Sequence, residues 1–248
     1  MNMHIDLNAD IGEGCGDDAG ILKVVTSCNI ACGGHAGDET SMQEALLLAR
    51  QSGAIAGAHP SYPDRENFGR KPMEMPKPDL LQSLCMQITA IRDIASYSDV
   101  PLTHVKPHGA LYNAAAADAD LATVVVDAVL KSLPGATLVG PPNSSLSRAA
   151  QEQGLRFIAE GFADRAYEKT GALRDRRLEG AIIETEDARA RQAEMIAVDR
   201  RAPAHGGGAI HLPAETICLH GDSPGALASA RAIRERLAGV GVALRAHT

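Results

Sequence analysis

The sequence predicts an α/β fold, an irregular TIM-like (β/α) barrel, as one domain over residues 1–248. Three observations predict it. Short apolar runs alternate with amphipathic helical stretches, which implies a mainly parallel sheet. Roughly six or seven such strand–helix units fit into 248 residues, a length at which barrels form single domains. Polar residues gather just after the apolar runs, where parallel α/β folds carry their chemistry. An open doubly wound sheet is the structural alternative.

Each element has its own signal. Residues 5–8 read as a first strand and 28–31 as a short second one. A helix over 41–52 follows, with Ser41 to Glu44 as a capping box and Gly53 as its stop. Residues 54–58 form the next strand, and a proline-rich, charged loop runs over 59–77. Pro78 suits the first turn of a long helix, along which Leu80, Leu84, Ile88, Ile91 and Ala95 recur at helical spacing. Further strands fall at 102–106, 137–139, 157–159 and 216–219. Helices pass through Leu121 to Val129, 145–153 and 187–198, and a last one, capped by Ser223 and opened by Pro224, ends near Leu237. The Arg-rich stretch 161–180 reads as an ordered functional loop, and 205–208 as a glycine turn.

Composition narrows the function. The apolar fraction of 45% and charged fraction of 22% belong to a globular chain. A net charge of −7, no basic block and 3% aromatics argue against nucleic acid and against anionic membranes. No apolar run approaches a bilayer span, and the N-terminus lacks the basic and apolar regions of a secretory signal. Five cysteines, an odd number, suit reduced thiols in the cytoplasm; Cys28 and Cys32 read as small hydrophobes rather than zinc ligands. The chain has no phosphate loop of the G-x-x-x-x-G-K type, no G-x-G-x-x-G, no G-x-S-x-G elbow and no H-E-x-x-H helix.

What remains is the set of polar residues at the strand ends. Asn8, Asp10 and Glu13 follow the first strand; Asn29, His35 and Asp38 the second; His59, Asp64 and Arg70 the third. Lys106 and His108, then Glu160, Asp164 and Arg165, then His220 and Asp222 follow later strands. Singly, each has a structural explanation, such as Glu160 and Asp164 pairing with Arg165. Together they favour one shared site. Asp10, His35, His59 and His108 would also suit a divalent metal.

These residues lie in blocks that resemble the LamB/YcsF family, the group of 5-oxoprolinase A subunits. The blocks are Asp6 to Gly14, Asn29 to Asp38, Gly57 to Asp64 with Phe68 to Arg70, His104 to Asn113, Glu160 to Tyr167, and Ile217 to Pro224. They occur in order over nearly the whole chain. Gly34 stands where the family usually has an aromatic residue. The resemblance implies a barrel similar to those of glycoside hydrolases and deacetylases. It implies ATP as cosubstrate, opening of 5-oxo-L-proline to L-glutamate, and partner subunits B and C; a homo-oligomer is compatible with it.

Under that reading, lactam opening needs a base for water, a cation for developing charge and an acid for the leaving nitrogen. Glu13 or Asp10 is the candidate base. Lys106, with Arg165 or His108, is the candidate cation, and His59 or His220 the candidate acid. Arg70 or Arg176 would clamp the substrate carboxylate. Asn8, His35, Glu160, Asp164 and Asp222 complete the expected binding set. The alternatives are a metal-dependent amidase or deacetylase, and a non-catalytic protein that binds a metabolite.

Overall fold

The computed structural model describes residues 3–221 and 225–247. Strands β1 (Met3–Ile11), β2 (Ser27–Ala31), β3 (Ile55–His59), β4 (Leu102–Val105), β5 (Thr137–Gly140), β6 (Phe157–Phe162) and β9 (Thr216–His220) pair in parallel in that order. β9 also pairs with β1, from Asp6↔Thr216 to Asp10↔His220, so the sheet closes into a barrel. A short β10 (Val242–Leu244) pairs with the first residues of β1. Between β6 and β9, β7 (Arg201–Pro203) and β8 (Ala209–His211) form an antiparallel hairpin around the glycine turn.

Helices α1 (Asp18–Leu22), α2 (Glu39–Ser52), α3 (Lys77–Tyr97), α4 (Gly109–Ala117), α5 (Ala119–Ser132), α6 (Ser145–Glu152), α7 (Glu186–Asp199) and α8 (Ala226–Gly239) accompany the strands. The α2 capping box begins three residues before the expected one. Asp38 accepts from the Ser41 amide, and Ser41 Oγ accepts from the Asp38 amide. Gly53 ends α2 in the left-handed conformation, as its sequence signal indicates. Asp118 separates α4 from α5 by capping the amides of Asp120 and Leu121. Ser223 and Pro224 lie outside the described residues. Among the described residues, no helix is long and apolar enough to cross a membrane.

The barrel interior departs from the usual apolar filling. On β1, Ile5, Leu7, Ala9 and Ile11 are buried among the apolar core. The alternate residues Asp6, Asn8 and Asp10 share the opposite face and are also buried. Asp6 accepts from Thr26, Ser27 and Thr216 hydroxyls at 2.6, 2.7 and 2.5 Å. One layer up, Asn8 donates to Glu160 at 3.0 Å and to Thr216 at 2.7 Å. Asn29 donates to Asn8 at 2.9 Å and to Asp10 at 2.8 Å, and shares a 3.0 Å hydrogen bond with His104. A cavity of about 10 Å³, room for roughly one water, lies among these groups.

Gly57 makes this lumen possible. A Cβ there would stand 2.3 Å from the His104 ring. Gly57→Ala is therefore expected to destabilise the chain by about 1–3 kcal/mol, the range for overpacking a filled core. A denaturant midpoint equal to that of the unsubstituted protein would refute this.

Candidate active site

The polar lumen rises into a cluster at the carboxyl ends of the strands. Asp10 and Glu160 lie within β1 and β6 rather than after them, because both strands run further than their apolar residues suggest. Lys106, just beyond β4, sits between them. Its Nζ is 2.9 Å from Asp10 Oδ1, 3.0 Å from Glu160 Oε1 and 3.0 Å from Cys218 Sγ. The side chain is 2% exposed. Burial pulls the ammonium pKa down, but Asp10, Cys218 and Glu160 outweigh it and hold it well above the usual value. Burial likewise pushes Asp10 up, while His59 and Lys106 hold it well below the usual carboxylate range. Both groups are thus charged at neutral pH.

Beside this pair stand three histidines and Glu13. His59 ends β3, and its Nδ1 donates to the Lys106 carbonyl at 2.7 Å. His108 donates from Nε2 to the Phe68 carbonyl at 3.0 Å. A carbonyl only accepts, so His59 Nδ1 and His108 Nε2 each carry a proton. The other nitrogens, His59 Nε2 and His108 Nδ1, face each other at 2.9 Å. Glu13 Oε1 lies 3.4 Å from His108 Nδ1 and 4.0 Å from His59 Nε2. His35 Nε2 meets the same oxygen at 3.1 Å, and its ring stacks on His108 with centroids 3.6 Å apart. Burial and the charge of His59 lower His35 to about 2, so it is neutral; burial with His59 and His35 puts His108 well below its usual value. Gly69 closes the wall: a Cβ there would meet His35 Cβ at 2.9 Å.

On the other side, Asp164 binds His220. Its oxygens lie 2.9 and 3.0 Å from Nδ1, and one accepts the His220 amide at 3.2 Å. Burial raises the Asp164 carboxyl, yet His220 holds it at about 2. The His220 ring stacks on Phe162. Neither Asp164 nor Glu160 pairs with Arg165 in the way the sequence alone allowed: their partners are His220 and Lys106. Arg165 instead donates to the carbonyls of Arg174 and Ala181, tying down the Arg-rich loop. Burial, then the charges of Arg176 and Arg70, lower its pKa to about 10, so three guanidiniums share one neighbourhood. Arg70 lies 4.7 Å over the Phe68 ring. Asp222 lies outside the described residues.

Sequence reasoning placed Asn29 among the strand-end polar residues but missed His104 and Thr216 as parts of the site's foundation. The signal was present: a buried strand whose alternate residues are polar has a polar side to face. Gly34 also has a local reason. A Cβ there would stand 2.3 Å from Gln87 Oε1 and 2.4 Å from Ser61 Oγ. Gln87, bonded to the Ser61 amide and carbonyl at 3.0 and 2.8 Å, occupies that space instead.

The model of the LamB/YcsF family matches residues 5–248. The chain belongs to the LamB/YcsF family. It is 46% identical over 248 residues to the 5-oxoprolinase A subunit of Chloroflexus aggregans (strain MD-66 / DSM 9485), covering 98% of each chain. It is similar to the lactam utilization protein of Thermus thermophilus, with TM-score 0.92, 38% identity, and 99% of this chain and 100% of that one covered. A family 4 carbohydrate esterase from Streptomyces lividans shares the fold, with TM-score 0.52 and 14% identity over 98% of this chain and 92% of that one. The LamB/YcsF fold is thus a barrel of a type that a carbohydrate esterase also has.

Proposed function

We propose that this chain is the A subunit of a cytoplasmic, ATP-dependent 5-oxoprolinase that opens 5-oxo-L-proline to L-glutamate with subunits B and C. The observation that carries the reading is the meeting of two unlike proton-handling groups at one barrel mouth. Glu13 stands with His59 and His108, and His220 is held by Asp164. The near-full-length similarity to the A subunit of a 5-oxoprolinase supports the substrate.

The chemistry divides accordingly. Phosphoryl transfer from ATP to the lactam oxygen, assisted by the partner subunits, makes the ring carbon electrophilic. One water adds to that carbon. The C–N bond breaks as the nitrogen takes a proton, and a second water releases the phosphoryl group as phosphate. Asp10, held well below the usual carboxylate range, is a weak base, so activation of the attacking water falls to the corner of Glu13, His59 and His108. His220, with Nδ1 committed to Asp164, presents Nε2 to the leaving nitrogen. Lys106 helps keep Asp10 ionised, contacts Glu160, and supplies a fixed positive charge below the reacting atoms.

Arg70 and Arg176 take the substrate carboxylate. Arg70→Ala and Arg176→Ala are each expected to raise the KM for 5-oxoproline about 10-fold or more, with kcat changed far less, as loss of a charge-assisted hydrogen bond requires. An unchanged KM in both variants would remove the clamp. The reading itself is tested by glutamate formation from 5-oxoproline and ATP, with this chain alone and then with both partners. Glutamate from the full mixture alone is expected. A complete, well-folded mixture that makes none overturns the substrate.

A further inference from the structure

We infer that Glu13, His59 and His108 form a binding site for one divalent transition-metal ion. Its role in activating water rests on the function proposed above; its existence does not. The argument starts from the two facing nitrogens. His59 Nδ1 and His108 Nε2 are each committed to a backbone carbonyl, which turns His59 Nε2 and His108 Nδ1 toward one point, 2.9 Å apart. Two carboxylates gather there, Asp10 Oδ2 at 3.4 Å from His59 Nε2 and Glu13 Oε1 at 3.4 Å from His108 Nδ1, so a positive charge is favoured at that point.

A carboxylate completes the set. The donor atoms are separated by 2.9, 3.4 and 4.0 Å. Ligands at about 2.0–2.1 Å around a tetrahedral ion are about 3.3 Å apart, so modest adjustment brings all three into range. Imidazole nitrogen and carboxylate oxygen are donors suited to zinc and its neighbours. The surroundings are those of ligands already oriented. Each histidine's other nitrogen is bound to a carbonyl, and Glu13 is held by His35. His35 itself is the poorer ligand, although its donor atom lies within the same 4.8 Å cluster. Its ring is parallel to that of His108 within 2°, so one ion cannot lie in both ring planes. His35 is buried with Nδ1 unpartnered, and it acts here as the group that positions Glu13. A bound divalent ion would supply Lewis-acid activation of water at the corner assigned to that step.

The test is binding of Co²⁺ to the whole chain, stripped with a chelator and dialysed, without substrate, ATP or partners. Equilibrium dialysis gives the stoichiometry, and visible absorption reports the coordination. One Co²⁺ per chain with ligand-field bands is expected. His59→Ala, His108→Ala and Glu13→Gln should each weaken binding about 100-fold or more, and His35→Ala about 10-fold. Far-UV circular dichroism identifies the variants that fold, and Glu13→Gln, at a half-buried turn position, guards against loss of the histidine variants. Absence of saturable Co²⁺ binding by the unsubstituted chain, or undiminished binding by folded variants, overturns the site. Because no turnover is read, an inactive assembly that binds Co²⁺ would sink the substrate and leave the site standing.

Discussion

Lys106→Met is expected to lower the unfolding free energy by about 3–5 kcal/mol at neutral pH, the range for removing one partner of a buried ion pair. Among the described residues, Lys106 is the permanent cation next to Asp10 and Glu160, with Nζ 2.9 and 3.0 Å from them. Methionine fills similar volume, so little of the loss is cavity. The pH dependence gives the cause. In the unsubstituted protein Asp10 is held below its unfolded value, so its contribution is present above the ordinary carboxylate range and is lost as pH falls through the folded value. In the variant Asp10 keeps His59 but loses Lys106, so its carboxyl is held down less. Its contribution above the ordinary carboxylate range is correspondingly smaller. The deficit should be widest at neutral pH and should narrow on acidification. Adding Glu160→Gln should recover part of it. Urea unfolding at several pH values measures this, and a deficit that does not vary with pH would refute the electrostatic cause.

Asp164→Asn should lower kcat of the reconstituted enzyme about 10²- to 10⁴-fold, the usual contribution of a positioned general acid, and leave the KM for 5-oxoproline nearly unchanged. The carboxylate is ionised at any pH above about 2 and sits 2.9 Å from His220 Nδ1. It fixes the ring and balances the positive charge of the protonated form. An amide fixes the ring less well and balances no charge. If Asp164 acts through His220, Asp164→Asn combined with His220→Gln should be no slower than His220→Gln alone. A further loss in the double variant would give Asp164 a role apart from His220.

The alternation of strands and helices was legible because each helix has one apolar face and each strand a short apolar run. The convergence of His59, Lys106, Glu160 and His220 was legible for a topological reason: parallel strands deliver their carboxyl ends to one side. Strand length was not. Residues 9–11 of β1 and 160–162 of β6 extend past the expected ends, because hydropathy stops at the first polar residue even when that residue faces a polar lumen. Pairing was not legible either. That Asp164 chooses His220, 56 positions away, over the adjacent Arg165 depends on the turn that aims each side chain. β10 and the hairpin strands are only three residues each, too short for any period to register.

The closure of the barrel between β1 and β9 has a consequence for biosynthesis. β1 leaves the ribosome long before β9 and must wait for it, and the hydroxyl of Thr216 reaches Asp6 across 210 positions of chain. Until then one edge of β1 is unpaired, and Asp6 and Asn8 lack their Thr216 partner. Contacts of such long sequence separation slow folding, and an open strand edge invites pairing with other chains. The nascent chain is therefore most exposed to association just before β9 emerges. Its interior of carboxylates and amides gives that waiting edge a charged, hydrated character that discourages such association.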